Sequence, residues 1–185
     1  MPKVAATKED WIQLGYKLFS QSGEHGLVVD KMSRLLKCNK SSFYWHFKSK
    51  SNFIATISDY WIQSETADII QQVNSLKQPK KKFLKLIEIA FHKDSNLDFI
   101  FFLKRYAQSN PEINKQIDKI DTERIKYVSE LLVDLGYDKK EAHTKAKVFY
   151  NYLIGYHEMI RYKKQGKNYM SVVLKEINQF ITITK

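Results

Sequence analysis

Apolar residues recur every three or four positions along nearly the whole chain, the spacing that gathers side chains on one face of an α-helix. No segment alternates apolar and polar residues in the way a half-buried strand does. The spacing therefore predicts an all-α protein. The clearest apolar faces are Trp11, Leu14, Leu18 and Phe19; Ile117, Ile120, Ile125, Val128, Leu131, Leu132 and Leu135; Phe149, Tyr152, Leu153, Tyr156 and Ile160; and Val173, Leu174, Ile177, Phe180 and Ile181.

Residues typical of helix ends divide this pattern into about nine helices. The chain has only six glycines and three prolines. Thr7 with Asp10 resembles a capping box, and Asn110 followed by Pro111 is typical of a helix start. Gly136 follows an apolar run and predicts a helix end.

Two glycines lie inside helical patterns. Gly15 and Gly155 each interrupt a face that is otherwise continuous. Because glycine weakens a helix interior, we expect both to mark close packing against a neighbouring element.

Several classes of protein are not expected. The longest unbroken apolar run, Phe99–Leu103, is too short to span a membrane, and the first residues lack the apolar core of a signal peptide. Cys38 is the single cysteine, so neither a disulfide nor a thiolate zinc site is expected, and the reducing cytoplasm is the predicted compartment. No histidines have metal-site spacing. No motif for phosphate binding or nucleophilic catalysis is present, so neither an enzyme, a cofactor nor a metal is predicted.

The charge indicates a polyanionic partner. The formal net charge is +11, with 31 Lys and Arg against 20 Asp and Glu. Residues 1–50 carry nine of these cations and four of the acids, against 22 and 16 in the other 135 residues. Positive charge is therefore densest at the front of the chain, and the charge alone leaves nucleic acid and an anionic membrane as the expected partners.

The front of the chain also has the pattern of a helix-turn-helix. Three short helices are predicted, about Thr7–Ser22, Val29–Lys37 and Lys40–Phe47. The short joint between the last two is typical of this motif. We expect inward-facing side chains on both helices of the pair: Met32, Leu35 and Leu36 from the first, and Cys38, Phe43 and Phe47 from the second.

The remaining side chains of the second helix suit DNA better than a protein core. They combine a cation, hydroxyls, aromatic rings and an imidazole, which can contact phosphates and base edges in a major groove. The predicted DNA-binding residues are Lys40, Ser41, Ser42, Tyr44, Trp45, His46 and Lys50.

The stretch from Trp11 to about Ile54, and above all FYWHFKSK, resembles the tetracycline-repressor-like (TetR) family of transcriptional regulators. The resemblance implies that Lys40, Ser41, Tyr44 and His46 meet DNA, and that Ser42 and Lys50 hold phosphates. Lys40 and Ser41 are the better candidates for reading bases, because lysine pairs well with guanine.

Four residues depart from the family pattern. Lys37 stands where the turn usually has glycine, and Val28 and Val29 replace the usual cap of the second helix. Asp30 stands where a basic or polar residue often approaches DNA. These departures leave open an alternative function, a helical ligand-sequestering or protein-interaction module that no longer binds DNA specifically. A membrane-binding helix is a weaker third possibility.

The resemblance further implies two parts, a three-helix DNA-binding domain at 1–48 and a larger helical regulatory and dimerisation domain at 49–185. The second part is expected to enclose a pocket for a small-molecule effector. Its candidate lining residues are Trp61, Phe91, Phe102, Tyr106 and Tyr150. The segment LDFIFFLKRY (97–106) is expected mainly in the core, and the lysine-rich 77–85 in a solvated loop, with a second DNA or membrane patch as the alternative.

By the same resemblance, two copies should pair through the last two helices, about Lys139–Lys164 and Tyr169–Ile183. A dimer places two recognition helices in successive major grooves, so a near-palindromic operator is expected. The resulting hypothesis is repression relieved by an effector, which changes the spacing of the two DNA-binding parts through the helix at about Lys50–Val73.

Overall fold

The computed structural model describes residues 6–92, 97–160, 163 and 165–183, and all regular structure in these ranges is helical. This confirms the all-α fold. The ten α-helices in these ranges are α1 (Lys8–Ser22), α2 (Val29–Leu35), α3 (Ser41–Phe47), α4 (Lys50–Ile62), α5 (Asp68–Asn74), α6 (Pro79–Ala90), α7 (Leu97–Ala107), α8 (Pro111–Asp134), α9 (Lys139–Ile160) and α10 (Tyr169–Ile177).

The predicted helix ends are present. Thr7 and Asp10 bond reciprocally as a capping box at the start of α1. The side chain of Asn110 accepts from the backbone of Ile113 at the start of α8, where Pro111 takes the first helical position. Gly136 has a φ of 100° just after α8, a conformation that favours glycine.

The helix predicted over Lys50–Val73 contains a wider turn. A π-helical segment, Gln63–Ala67, separates α4 from α5. Ser64 lies in it, and its hydroxyl donates to the backbone carbonyls of Tyr60 and Trp61. Such π-turns insert one extra residue into a helix, which no apolar pattern marks. The expected count of about nine helices therefore becomes ten in the part of the chain that the structure describes.

The described chain divides into two compact units, and each is considered by itself. The first contains residues 6–65 and 97–117, so it adds α4 and α7 to the three predicted helices. A 3₁₀ turn, Gly23–Gly26, follows α1 in this unit. The predicted boundary at residue 48 separates a DNA-binding part from a regulatory part rather than two compact units, and it stays a prediction.

The first unit has an aromatic core. Phe43 packs its ring 5.3 Å from the ring of Trp11 and 5.0 Å from the ring of Phe53. Phe99 of α7 lies 4.9 Å from Phe19, and it stacks on Trp61 at 5.6 Å. The segment at 97–106 therefore contributes mainly to the core, as predicted.

The second unit contains residues 66–92 and the described residues after 117. Its core draws on α6, α8, α9 and α10, and aromatic rings meet at its centre. Phe149 lies 5.5 Å from Phe83 and 5.8 Å from Phe91, measured between ring centroids. The buried aliphatic residues around them are Val73, Leu86, Ile87, Val128, Leu131, Leu132, Val173, Ile177, Ile181 and Ile183.

Four local expectations were wrong. Leu35 is 55% exposed and does not face the core of its unit. Among the described residues, no atom outside the adjoining backbone lies within 4 Å of the point where a side chain at Gly155 would begin, so this glycine is not closely packed within the chain. Helix α10 ends at Ile177 rather than Ile183. Most of the lysine-rich segment at 77–85 forms the first turns of α6 instead of a loop.

None of the described helices is long and apolar enough to cross a membrane.

Gly15, in contrast, lies directly against a neighbouring ring. A Cβ atom added there would be 2.2 Å from Cζ of Phe53, which is fully buried. We expect Gly15→Ala to lower the free energy of unfolding by about 1–2 kcal/mol, because overpacking outweighs the better helix propensity of alanine. Urea unfolding measures this change. Phe53→Leu should cost less in the Gly15→Ala background than in the wild type, and equal costs in both backgrounds would contradict the proposed clash.

Candidate nucleic-acid interface

Helices α2 and α3 form a helix-turn-helix whose turn depends on an unusual backbone conformation. Lys37 has a φ of 52°, in the left-handed region where glycine is favoured. The backbone N–H of Cys38 donates to the carbonyl of Ser33 and closes the turn. Cys38 itself is half-buried. Lys37 therefore adopts the conformation that the family's usual glycine would supply.

One face of α3 is fixed in the core of the first unit. Phe43 and Phe47 stand four residues apart and are both buried, with their rings 5.3 Å from each other. The ring of Phe47 also lies 4.6 Å from that of Phe53 on α4. These contacts confirm the predicted anchor and determine which side of α3 faces solvent.

The opposite side of α3 is an exposed surface of Ser41, Tyr44 and Trp45, here called the outer face. These positions are spaced three and four apart, so they share one side of the helix. Tyr44 is 51% exposed and Trp45 is 74% exposed, although both are large aromatic residues. Lys40 is exposed at the N-cap position just before them. The outer face thus offers a hydroxyl, two aromatic rings and a nearby cation to a partner.

Two other predicted DNA-binding residues already have partners inside the protein. The Ser42 hydroxyl accepts from Trp11 Nε1 at 3.2 Å and donates to the carbonyl of Ala6 at 3.4 Å. Nε2 of His46 lies 3.1 Å from the same carbonyl and donates to it in the tautomer protonated at Nε2. These bonds join α3 to α1 and to the residue two positions before α1. The sequence did not predict them, because nothing local in it links residues 36 and 40 positions apart.

The two predicted lysines are each paired with an acid. Lys40 Nζ lies 3.4 Å from Oδ1 of Asp30 on α2. Lys50, the first residue of α4, has Nζ 3.5 Å from Oε1 of Glu24 in the 3₁₀ turn. All four side chains are substantially exposed, so both lysines remain accessible to an anion from solvent.

The five candidate effector-binding residues do not fall within one compact unit. Trp61, Phe102 and Tyr106 belong to the first unit, and Phe91 and Tyr150 belong to the second. Trp61 and Phe91 are fully buried among other aromatic rings. Whether any of the five contacts an effector stays a prediction.

Tyr150 belongs to a polar cluster that the sequence did not reveal. Its hydroxyl donates to Oδ1 of Asp121 at 2.6 Å. On the same face of α8, Arg124 donates from Nε and from a terminal nitrogen to the hydroxyl of Thr66, at 3.1 and 2.9 Å. Burial and the neighbouring Asp121 carboxylate raise the pKa of Tyr150 far above its ordinary value. Tyr150 therefore stays a hydrogen-bond donor across the physiological range.

An open groove of about 760 Å³ lies on the second unit between α8 and α9. Its lining mixes apolar and charged side chains, and it includes none of the five candidate residues. The main lining residues are Ile125, Lys126, Glu130, Val133, His143 and Lys147. Within the described ranges, no three histidine, cysteine, aspartate or glutamate side chains converge as metal ligands.

Comparisons with known proteins relate this arrangement to transcriptional regulators. No family model matches the chain. The chain is 28% identical over 135 residues to an uncharacterised HTH-type transcriptional regulator, YerO, of Bacillus subtilis. The match covers 70% of this chain, which spans about half (47%) of the length of that curated relative.

Solved structures show the fold over nearly the whole chain. A TetR transcriptional regulator from Legionella pneumophila superposes with a TM-score of 0.80 at 17% identity, covering 98% of this chain and all of the other. A transcriptional regulator from Saccharomonospora viridis, solved in complex with choline, gives 0.80 at 13% identity over 94% of each chain. The likeness carried by FYWHFKSK therefore extends to the fold.

The Trp11–Ser42 bond makes a prediction about stability in the absence of DNA. Trp11 is fully buried, so Ser42→Ala leaves its indole N–H without an acceptor. We expect this substitution to lower the free energy of unfolding by about 1–3 kcal/mol in urea denaturation. Ser41→Ala is the matched control, since its side chain is exposed on the same helix, and it should change stability by less than about 0.5 kcal/mol. Equal effects of the two substitutions would contradict the structural role of Ser42.

Proposed function

We propose that this chain, which has the fold of TetR transcriptional regulators, is a sequence-specific DNA-binding regulator. The observation that carries the proposal is the outer face of α3, which keeps Tyr44 and Trp45 in solvent while Phe43 and Phe47 hold the helix from behind. Tyr44 contacts Phe43 and Trp45 contacts His46, but half or more of each residue stays in water, where aromatic surface gains little. A helix with polar and aromatic side chains of this kind suits the major groove.

We assign different roles to the predicted DNA-binding residues. Lys40 and Ser41, at the start of α3, are best suited to base edges, and Tyr44 and Lys50 to phosphates. Trp45 offers apolar contact to the groove. For Ser42 and His46 we favour a positioning role, because their bonds to Ala6 and Trp11 hold α3 in place.

The experiment that tests this function selects oligonucleotides bound by the protein and measures affinity for the selected duplex at 50 and 200 mM salt. A protein that contacts six or more phosphates should lose on the order of 10³-fold in affinity over this range, because bound counterions are released. A shuffled duplex of the same length is the control. Failure to enrich any sequence, or equal affinity for the selected and shuffled duplexes, would reject the proposal.

Two lysine substitutions separate base reading from phosphate binding. Lys40→Ala should change the preference among bases at one position of the site, with a discrimination loss of about 1–3 kcal/mol. Lys50→Ala should weaken binding to all sequences alike and reduce the salt slope by about 1. Competition binding with a set of single-base variants measures both effects. The assignment is wrong if the two variants give the same pattern.

We further propose a homodimer formed through α9 and α10, by analogy with the family resemblance. Exposed apolar side chains on these helices support it, namely Val148 and Met159 on α9 and Val172 on α10, of which Met159 is 72% exposed. Gly155 lies on α9 with open space around it, which permits close approach of a second helix. Two recognition helices related by a twofold axis would match half-sites about 34–36 Å apart.

The dimer is tested by placing a charge on this surface. Met159→Glu should shift the sedimentation of the protein from dimer to monomer at micromolar concentration, because an unpaired carboxylate is costly to bury. Val133→Glu on α8 is the control, since Val133 is also an exposed apolar residue but lies outside α9 and α10. A monomeric wild type would contradict the proposal, as would a Met159→Glu variant that remains dimeric.

The regulator is proposed to act as a repressor released by a small-molecule effector bound in the helical part after residue 48. The polar cluster of Tyr150, whose members bond one another in the structure, is proposed as the polar part of the binding site for such a ligand. The choline bound by the Saccharomonospora regulator makes choline the first compound to test, within a wider panel. Effective release requires that binding of the effector weaken binding of the operator DNA by about 1–3 kcal/mol. A compound that binds the free and the DNA-bound protein equally tightly is not the effector, and a panel holding only such compounds would reject this mechanism.

A further inference from the structure

Both lysines assigned to DNA are held by carboxylates contributed from a preceding element. Asp30 is the second residue of α2, and it pairs with Lys40 just before α3. Glu24 of the 3₁₀ turn pairs with Lys50, which begins α4. The same arrangement therefore occurs twice in one unit, with an acid from an earlier element facing a lysine at the start of a helix.

Stability of the fold does not explain these acids. The side chains of Lys40 and Asp30 are 62% and 66% exposed, and those of Lys50 and Glu24 are 40% and 46% exposed. Exposed ion pairs contribute little to stability because water and salt screen them. Arg34, one turn further along α2, donates from Nε to the backbone carbonyl of Asp30.

We propose that Asp30, which pairs with the base-reading Lys40, is a specificity-determining residue that weakens binding to non-specific DNA more than binding to the operator, whereas Glu24, which pairs with Lys50, weakens binding to both alike. The inference rests on the proposed function of the chain as a DNA-binding regulator. Each carboxylate neutralises a lysine that would otherwise attract phosphate at any sequence.

The Asp30 carboxylate is expected to affect operator and non-specific DNA differently because the two provide different contacts. Non-specific binding depends almost entirely on phosphates, so a lysine must either leave its carboxylate or bring that carboxylate close to a phosphate. Both choices lower affinity, and non-specific DNA provides no base contacts that compensate for the loss. At the operator, Lys50 still contacts a phosphate and bears the same cost, whereas Lys40 contacts a base edge instead of a phosphate. Asp30 can also accept from the N4 amino group of a cytosine, as carboxylates do in the major groove.

The test removes each acid while preserving its shape. For Asp30→Asn and Glu24→Gln, affinities for the selected operator and for the shuffled duplex are measured between 50 and 200 mM salt. We expect affinity for the shuffled duplex to rise roughly three- to tenfold at the lower salt, and its salt slope to steepen by about 1 for each lysine released. Affinity for the operator should rise less than twofold in Asp30→Asn, so its specificity ratio falls, whereas Glu24→Gln should raise affinity for both duplexes alike.

Two controls separate this effect from a change in net charge. Asp59→Asn removes an exposed acid on α4 that forms no ion pair among the described residues. Glu123→Gln breaks a comparable pair with Lys119 on α8. Both should change affinity for the shuffled duplex less than twofold. An equal rise in all four variants would overturn the inference, as would an equal rise for operator and shuffled duplex in Asp30→Asn.

A double variant tests whether the carboxylate acts through its lysine. In a Lys40→Ala background, Asp30→Asn should no longer raise affinity for the shuffled duplex, because no cation remains to be released. A rise of the same size in both backgrounds would overturn the inference. The outcomes also distinguish the two proposals. A wild type that selects no sequence defeats the proposed function, whereas a selective wild type whose acid variants behave like the controls defeats only this inference.

Discussion

The burial of Phe43 and Phe47 against Trp11 and Phe53 is the interaction on which the candidate interface depends. Helix α3 has only seven residues, too few to be stable in water without tertiary contacts. Its two buried rings supply those contacts and leave one orientation for the helix. Tyr44 and Trp45 are therefore exposed because Phe43 and Phe47 are buried on the other side of the helix.

Hydrogen bonds add to the aromatic packing that fixes the orientation of α3. Ser42 and His46 reach the carbonyl of Ala6, and Ser42 also accepts from Trp11, so a second side of α3 is held by directional contacts. Apolar packing alone would leave the helix free to turn by a small angle about its axis. With both sets of contacts, the outer face is preorganised for a partner, which lowers the entropy lost on binding. The side chains of α3 therefore form two groups, those that hold the helix in place and those that remain available to a partner.

Local patterns predicted the parts of this structure that depend on neighbours in sequence. The capping box at Thr7 and the four-residue spacing of Phe43 and Phe47 are both visible in a few consecutive residues. Leu35 was misassigned because the periodicity of a seven-residue helix does not fix which apolar residues reach the core. The end of α10 at Ile177 was missed because the apolar pattern continues through residues that pack without being helical.

Contacts between distant positions could not be predicted from the sequence. The Asp30–Lys40 pair and the Tyr150–Asp121 bond depend on which helices meet, which periodicity does not determine. At Lys37 the sequence suggested a defect that the structure does not have. Its replacement of glycine raised the possibility of a damaged turn, yet the residue adopts the left-handed conformation the turn requires. The departure from the family pattern therefore costs backbone strain and leaves the helix-turn-helix intact.

Trp45 allows a direct measurement of whether the outer face meets DNA. The chain has three tryptophans, and Trp11 and Trp61 are buried, whereas Trp45 is the exposed one. In acrylamide quenching, the free protein should show one accessible indole, and Trp45→Phe should show none. Saturating operator duplex should protect Trp45 from acrylamide, while a shuffled duplex at the same concentration should protect it much less. Quenching of Trp45 that stays unchanged in the operator complex would contradict the account.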